Sequence, residues 1–273
     1  MSAPPLDLSR VRRNFSASAG DYDDHAVVQK RVVERLAELL LAEGPLVGAT
    51  LDVGVGTGEL TARLLAASPA MRPVIADLAH GMTRHAAARI GAALPFDGDA
   101  QSLPLASGRI AAVVSSSVYQ WVNDLFAAFA ESARVLAPGG RFAFALFGER
   151  TLFELRHAFA QALAEGGGEA SHAQEFPEPA AVEGALVGAG FEGVRVFSEE
   201  EIQHHPDVPD LLRSLKRIGA ANAASGRPAG LASRRVMARM TELYGQHYGS
   251  QGTIPATYQV IYGFGRKRED PGR

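Results

Sequence analysis

LDVGVGTGEL, residues 51–60, decides how the chain is read. An apolar run ends in an acid, Asp52, and is followed by three glycines, Gly54, Gly56 and Gly58, before a helical pattern begins near Glu59. Glycine lets the backbone take a positive φ and lets a ligand approach the main chain closely. A helix starting directly after the turn points unpaired N–H groups at the same spot. The stretch therefore reads as strand, turn and helix around a nucleotide-type cofactor.

Outward from this turn, strands and helices alternate. Strands are expected at 49–53, 74–76, 94–96, 110–115 and 141–147, with helices at 59–67, 82–91 and 125–136 between them. The turn Pro138–Gly140 is expected to close the last of these helices. Such alternation implies an α/β fold with a doubly wound, mostly parallel sheet. Beyond Phe147 come a helix over 151–164, a Gly- and Pro-rich loop over 165–179, a helix over 180–188 and a strand near 194–197. An amphipathic helix over 207–218, a small-residue loop over 220–230 and a helix over 231–244 precede a final strand over 257–264, which brings the sheet to seven strands. The expected organisation is an N-terminal helical segment over 1–45 covering the cofactor site, a core over 46–206, a helical lid inserted over 207–250, and the last strand with a tail over 251–273. Residues 1–20 read as polar, and Asp23 or Asp24 as the N-cap of a helix carrying Val28, Val32, Leu36 and Leu40.

Composition bounds the function. The 273 residues are 47% hydrophobic and 21% charged, within the ordinary globular range. A formal net charge of -3 provides no global field toward nucleic acid. The absence of cysteine excludes disulfides, thiolate catalysis and Cys-ligated metals. No apolar run approaches the roughly 18 residues of a membrane span, and the N-terminus has no signal-peptide core. A cytoplasmic location is expected, with no nucleic-acid or membrane partner. The eight histidines show no metal-ligand spacing, and His204 and His205 would point to opposite faces of a strand, so no metal site is expected.

In open α/β sheets, ligands sit at the carboxyl ends of the strands. Three acids fall there: Asp52, Asp77 and Asp99. Asp77 lies nineteen residues beyond Gly58, the interval expected for an acid that binds ribose hydroxyls. The spacing Gly-x-Gly-x-Gly differs from the dinucleotide fingerprint, and a carboxylate at Asp52 would repel a pyrophosphate. The same carboxylate suits the cationic amino-acid end of S-adenosylmethionine, which is therefore favoured over NAD.

These features resemble the class I S-adenosylmethionine-dependent methyltransferases. The segments RRNFSASAGDYDDHAVVQ (12–29), SSSVYQWVND (115–124), LLRSLKRIGAANA (211–223) and IPATYQVIYGFGRK (254–267) are more narrowly similar to the malonyl-acyl carrier protein O-methyltransferases of biotin synthesis. The resemblance implies a Rossmann-like fold and a cofactor set of Asp52, Gly54, Val55, Gly56, Thr57, Gly58, Asp77, Leu78, Met82, Asp99, Ala100, Gln101 and Ser116. Val55 stands where many relatives carry cysteine. The implied reaction is methyl transfer to the free carboxylate of a malonyl thioester carried by acyl carrier protein. A carboxylate with pKa about 4 is ionised at neutral pH and needs no general base. Candidates for holding it are Tyr22, Gln120, Trp121, Arg156 and Lys216. Arg213, Lys216 and Arg217, with Arg234, Arg235 and Arg239, form two basic helix faces that would suit the acidic carrier. Assembly factors of mitochondrial respiratory complex I share the WVNDL and PATYQ pieces. Modification of a protein side chain, and cofactor binding without catalysis, thus stand as alternatives.

Overall fold

The computed structural model describes residues 5–166, 175–220 and 234–269. The centre of the loop expected over 165–179, most of that over 220–230 and the first residues of the helix expected from 231 lie outside the described residues.

Seven strands make one sheet: β1 (Gly48–Val53), β2 (Met71–Asp77), β3 (Leu94–Asp97), β4 (Ile110–Ser116), β5 (Leu136–Phe147), β6 (Phe191–His205) and β7 (Ile254–Lys267). Their order is β3-β2-β1-β4-β5-β7-β6, with β7 antiparallel to both neighbours and the inner pairs parallel. The inner strands β1, β2 and β4 are largely buried on both faces because helices cover both. Alternate residues of β5 split between two cores: Ala143, Ala145 and Phe147 on one side, Phe142, Phe144 and Leu146 on the other. The strand order reverses between β1 and β4, so their carboxyl ends form the crevice where a ligand fits.

The helices between strands fall close to their expected bounds: α4 (Glu59–Ala67), α5 (His80–Ile90), α6 (Leu125–Val135), α7 (Phe153–Glu165) and α8 (Pro179–Gly188). Pro138–Gly140 does not lie in a turn outside the sheet. It sits in the opening of β5, where the register against β4 shifts between Ile110 and Ala112. The edge strand β6 is much longer than expected. Its charged residues hid it, yet one side of an edge strand faces solvent and tolerates them. Glu199 and Glu201 pair with Arg35 and Arg31 at 2.8 and 3.3 Å. The helices α9 (Val208–Arg217) and α10 (Arg234–Tyr248) lie between β6 and β7 in the chain.

The N-terminus differs most from expectation. Residues 8–18 form a helix, α1 (Leu8–Ser18), whose N-cap Asp7 accepts from the N–H groups of Ser9 and Arg10. Val11, Phe15 and Ala19 recur every four residues and face the protein, a stripe too short to stand out among polar neighbours. Asp23 and Asp24 do not cap the long helix α3 (Val27–Leu41), whose N-cap position is Ala26; they lie within a short helix, α2 (Tyr22–His25). Both acids are therefore one turn away from capping geometry, and Asp23 is engaged elsewhere.

Candidate active site

The turn after β1 adopts the conformation its glycines imply. Gly54, Gly56 and Gly58 have φ of 69°, 55° and 86°. The N–H groups of Gly54 and Val55 donate to the Ala76 carbonyl at 2.7 and 2.9 Å, which fixes the turn to the end of β2. The Gly56 N–H donates to Asp77 Oδ2 at 3.0 Å, and the Ala79 N–H to Oδ1 at 2.8 Å. Asp52 is buried and accepts from Thr61 Oγ1 at 2.6 Å. Burial pushes the Asp52 carboxyl up to about 7, against the opposing hydrogen bond from Thr61. Asp77 is pushed up to about 6 by the same cause, opposed by its backbone donors. Two buried carboxyls whose ionised forms are disfavoured thus face one cleft, an arrangement suited to a ligand bearing an ammonium group and hydroxyls.

These groups wall an open cleft at the carboxyl ends of β1, β2 and β4, whose empty space, the solvent at its mouth included, is about 1060 Å³. Asp52, Gly54, Val55, Gly56, Thr57, Asp77, Leu78, Met82, Asp99, Ala100 and Ser116 line it. Gly58 and Gln101 do not: Gly58 packs against Ala86 and Ile90, and Gln101 donates from its N–H to Asp99 Oδ1 at 2.9 Å. A Cβ at Gly56 would meet no protein atom within 4 Å, so the space over this residue is free for a ligand. The open space over Gly56, the three acids and the unpartnered buried Ser116 hydroxyl together fit an adenosyl amino acid.

The N-terminal segment roofs this cleft. Leu6 is held to Asn123 by two hydrogen bonds, and Phe15 meets Trp121 edge-on at 5.5 Å. Asp23 joins α2 to the glycine turn, accepting from Thr57 Oγ1 at 2.7 Å and from Arg89 at 3.0 Å; Arg89 also pairs with Glu59. Tyr22, in the same short helix, lies near Asp77; burial first, and then that carboxylate, raise its hydroxyl above the phenol range. Nothing in the pattern of the sequence singled out this use of Asp23.

A second cavity opens beside the first. Phe15, Tyr22, Gln29, Ser117 and Trp121 line both. Gln120, Phe147, Thr151, Leu152, Leu215 and Tyr258 are among the rest of its wall, and none of the described residues lining it carries a charge. Tyr119 anchors this region from below, packed edge-on against Phe129, Phe142 and Phe144, with its hydroxyl 3.1 Å from Ser132 Oγ. Gln120 is buried, donating to the Ser117 carbonyl at 2.7 Å and accepting from the Phe147 N–H at 3.4 Å.

Of the five candidates for holding an acceptor, Tyr22, Gln120 and Trp121 reach this cavity, whereas Arg156 and Lys216 line neither space. Arg156 binds the Glu149 carbonyl, and Lys216 is exposed on α9, whose Leu215 lines the cavity together with Ile218 just beyond the helix. The basic helix faces are partly neutralised. Arg239 pairs with Glu165 and Glu242, and Arg213 with Asp210. Arg217, Arg234 and Arg235 are exposed. Among the described residues no group of three or more potential ligands forms a metal site, and no helix is long and apolar enough to cross a membrane.

Comparison with known proteins agrees with this geometry. The model of a methyltransferase domain family matches residues 51–144. A malonyl-[acyl-carrier protein] O-methyltransferase from Geobacter sulfurreducens is 46% identical over 268 residues, an alignment covering 96% of this chain and 100% of that protein. The biotin biosynthesis bifunctional protein BioHC of Teredinibacter turnerae is 35% identical over 273 residues, covering 96% of this chain and 47% of that one. Among solved structures, a putative methyltransferase from Bacillus halodurans superposes with a TM-score of 0.58 at 17% identity, over 85% of this chain and 98% of that one, a likeness of fold.

Proposed function

The chain belongs to the malonyl-[acyl-carrier protein] O-methyltransferase family, and on that premise we propose that it methylates the free carboxylate of a malonyl group carried on acyl carrier protein, for biotin synthesis. It is an S-adenosylmethionine-dependent O-methyltransferase. The observation that carries the choice of acceptor is the pair of adjoining cavities: an acid-lined cleft shares Tyr22, Ser117 and Trp121 with a second space whose described lining is uncharged. Modification of a protein side chain is not favoured, since the relative aligned end to end is named for malonyl-carrier protein.

When bound, S-adenosylmethionine supplies a methyl group activated by a sulfonium. Asp52 would hold its ammonium end, Asp77 its ribose hydroxyls and Asp99 its adenine, while Gly54–Thr57 let it lie against the backbone. The acceptor carboxylate is already ionised, so no residue has to remove a proton. The chain's tasks are to orient that carboxylate and to exclude water. Tyr22 and Trp121 roof the junction, and Gln120 fixes the backbone around it. The described residues that line the second cavity are uncharged, so neutral groups there would hold the carboxylate while its oxygen keeps its nucleophilicity. The carrier itself stays outside, its arm entering the second cavity.

The test compares initial rates with labelled cofactor on malonyl-carrier protein, succinyl-carrier protein and free malonate. Malonyl-carrier protein is expected to react fastest. Equal rates on free malonate would remove the carrier from the account, and no reaction on any of the three would refute the acceptor class.

A further inference from the structure

Ser117 follows β4 and lines both cavities. Its φ is 59°, one of three non-glycine residues with positive φ among those described. The reversal seats Val118 against Gly54, whose added Cβ would lie 2.2 Å from a Val118 methyl carbon. The packing of Val118 explains the backbone. It does not explain a serine, because glycine would take this conformation without strain. Nor does the fold use the hydroxyl: Ser117 Oγ is buried with no hydrogen-bond partner, while its main chain is fully engaged, the N–H with the Ala145 carbonyl at 2.8 Å and the carbonyl with Gln120 at 2.7 Å. Buried polar groups are normally paired, and one that is not calls for a reason.

We propose that the Ser117 hydroxyl donates a hydrogen bond to the acceptor carboxylate where the two cavities meet, an inference that rests on the carboxylate-methylation reading above. A serine side chain has a single torsion, so the hydroxyl turns toward either cavity at little cost. As a neutral donor, it holds the carboxylate without cancelling its charge, in keeping with the uncharged side chains that line the second cavity among the described residues. Ser117 keeps its proton throughout. A lone pair of the carboxylate oxygen forms the new O–C bond, the C–S bond breaks with its pair left on sulfur, and an ester and a thioether result. Ser116 differs: its hydroxyl is also unpartnered, but it lines the cofactor cleft alone.

Ser117→Ala removes only the oxygen. It is expected to raise KM for malonyl-carrier protein about tenfold, the loss of one hydrogen bond to a charged group, with the calorimetric Kd for S-adenosylmethionine changed by less than about twofold. Ser117→Gly, which also relieves the backbone, is expected to give the same rise in KM, and neither variant should melt below the wild type. Ser116→Ala is expected to show the reverse pattern, a weaker cofactor Kd with KM for the carrier little changed. An unchanged KM in Ser117→Ala, a normal KM in Ser117→Gly, or a cofactor Kd that rises in step with KM overturns the assignment. If the wild-type protein assayed alongside transfers no methyl group to malonyl-carrier protein, it is the acceptor reading that fails.

Discussion

Gly54 and Gly56 stand two residues apart in one turn, both with positive φ, and an added methyl group separates what they do. At Gly54 a Cβ would lie 2.2 and 2.6 Å from the two methyl carbons of Val118 and 2.9 Å from its Cβ. A β-branched side chain has no distant end to swing away. The left-handed backbone costs an alanine about 1–2 kcal/mol, and overpacking of this kind adds about 1–3 kcal/mol. Gly54→Ala should therefore lose about 2–5 kcal/mol, from a total stability that for a domain is about 5–15 kcal/mol. At Gly56 a Cβ meets no heavy atom within 4 Å, so only the backbone cost of about 1–2 kcal/mol applies; the new methyl stands in the cofactor cleft instead. Urea denaturation gives the stabilities, and calorimetry the affinity for S-adenosylmethionine. Gly54→Ala should be the less stable variant, and Gly56→Ala should keep most of its stability while binding cofactor weakly. In a double-mutant cycle, Val118→Ala should recover the overpacking share in Gly54→Ala and nothing in Gly56→Ala. Equal destabilisation of the two variants, or no coupling between positions 54 and 118, would refute the division of labour.

Four further outcomes follow from the site. Asp52 and Asp77 have carboxyls raised by burial to about 7 and about 6, so the folded cofactor-free protein holds these protons more tightly than the unfolded chain. The stability these two groups contribute should be fully present below the unfolded carboxylate pKa of about 4 and be lost as pH rises through 6 to 7; the thermal melts of Asp52→Asn, compared with the wild type across that interval, should show a flatter fall, and a steeper one would count against burial as the cause. Cofactor affinity should increase across the same interval, as both acids ionise toward a cationic ligand. Tyr22→Phe should lower methyl transfer more than cofactor affinity, and equal loss of both would mean that the hydroxyl has no positioning role. Asp23→Ala frees α2 from Thr57 and Arg89, a loss of about 1–3 kcal/mol of local fastening; the emission of Trp121, the one tryptophan, should shift as Phe15 leaves it, and an unchanged spectrum would show that Asp23 does not hold the roof.

The sheet and the cofactor turn were legible because their signals are local. Gly54, Gly56 and Gly58 specify a backbone, and acids at successive strand ends mark one crevice. The edge strand β6 was only partly legible, because a strand with one solvated face need not be apolar. The helix α1 was missed since its stripe of Val11, Phe15 and Ala19 is short. The acceptor side was harder. Arg156 and Lys216 were attractive as cations for a carboxylate, and neither is among the residues that line the two cavities. Ser117 gave no signal at all, because its interest lies in a left-handed φ and an unpaired oxygen, and neither is a property of sequence. Asp23 looked like a helix cap, since an acid before an apolar helix usually is one; its bond to Thr57 spans a tertiary contact that no local pattern encodes.

The central claim is that the adjoining cavities bring a carrier-bound carboxylate to an activated methyl group. Intact-mass and fragment spectrometry of malonyl-carrier protein, after incubation with the enzyme and S-adenosylmethionine, tests it directly. The account predicts one added methyl, located on the malonyl carboxylate and released as methanol by mild base. A methyl group found on a side chain of the carrier, or no methyl group on the carrier at all, would contradict it.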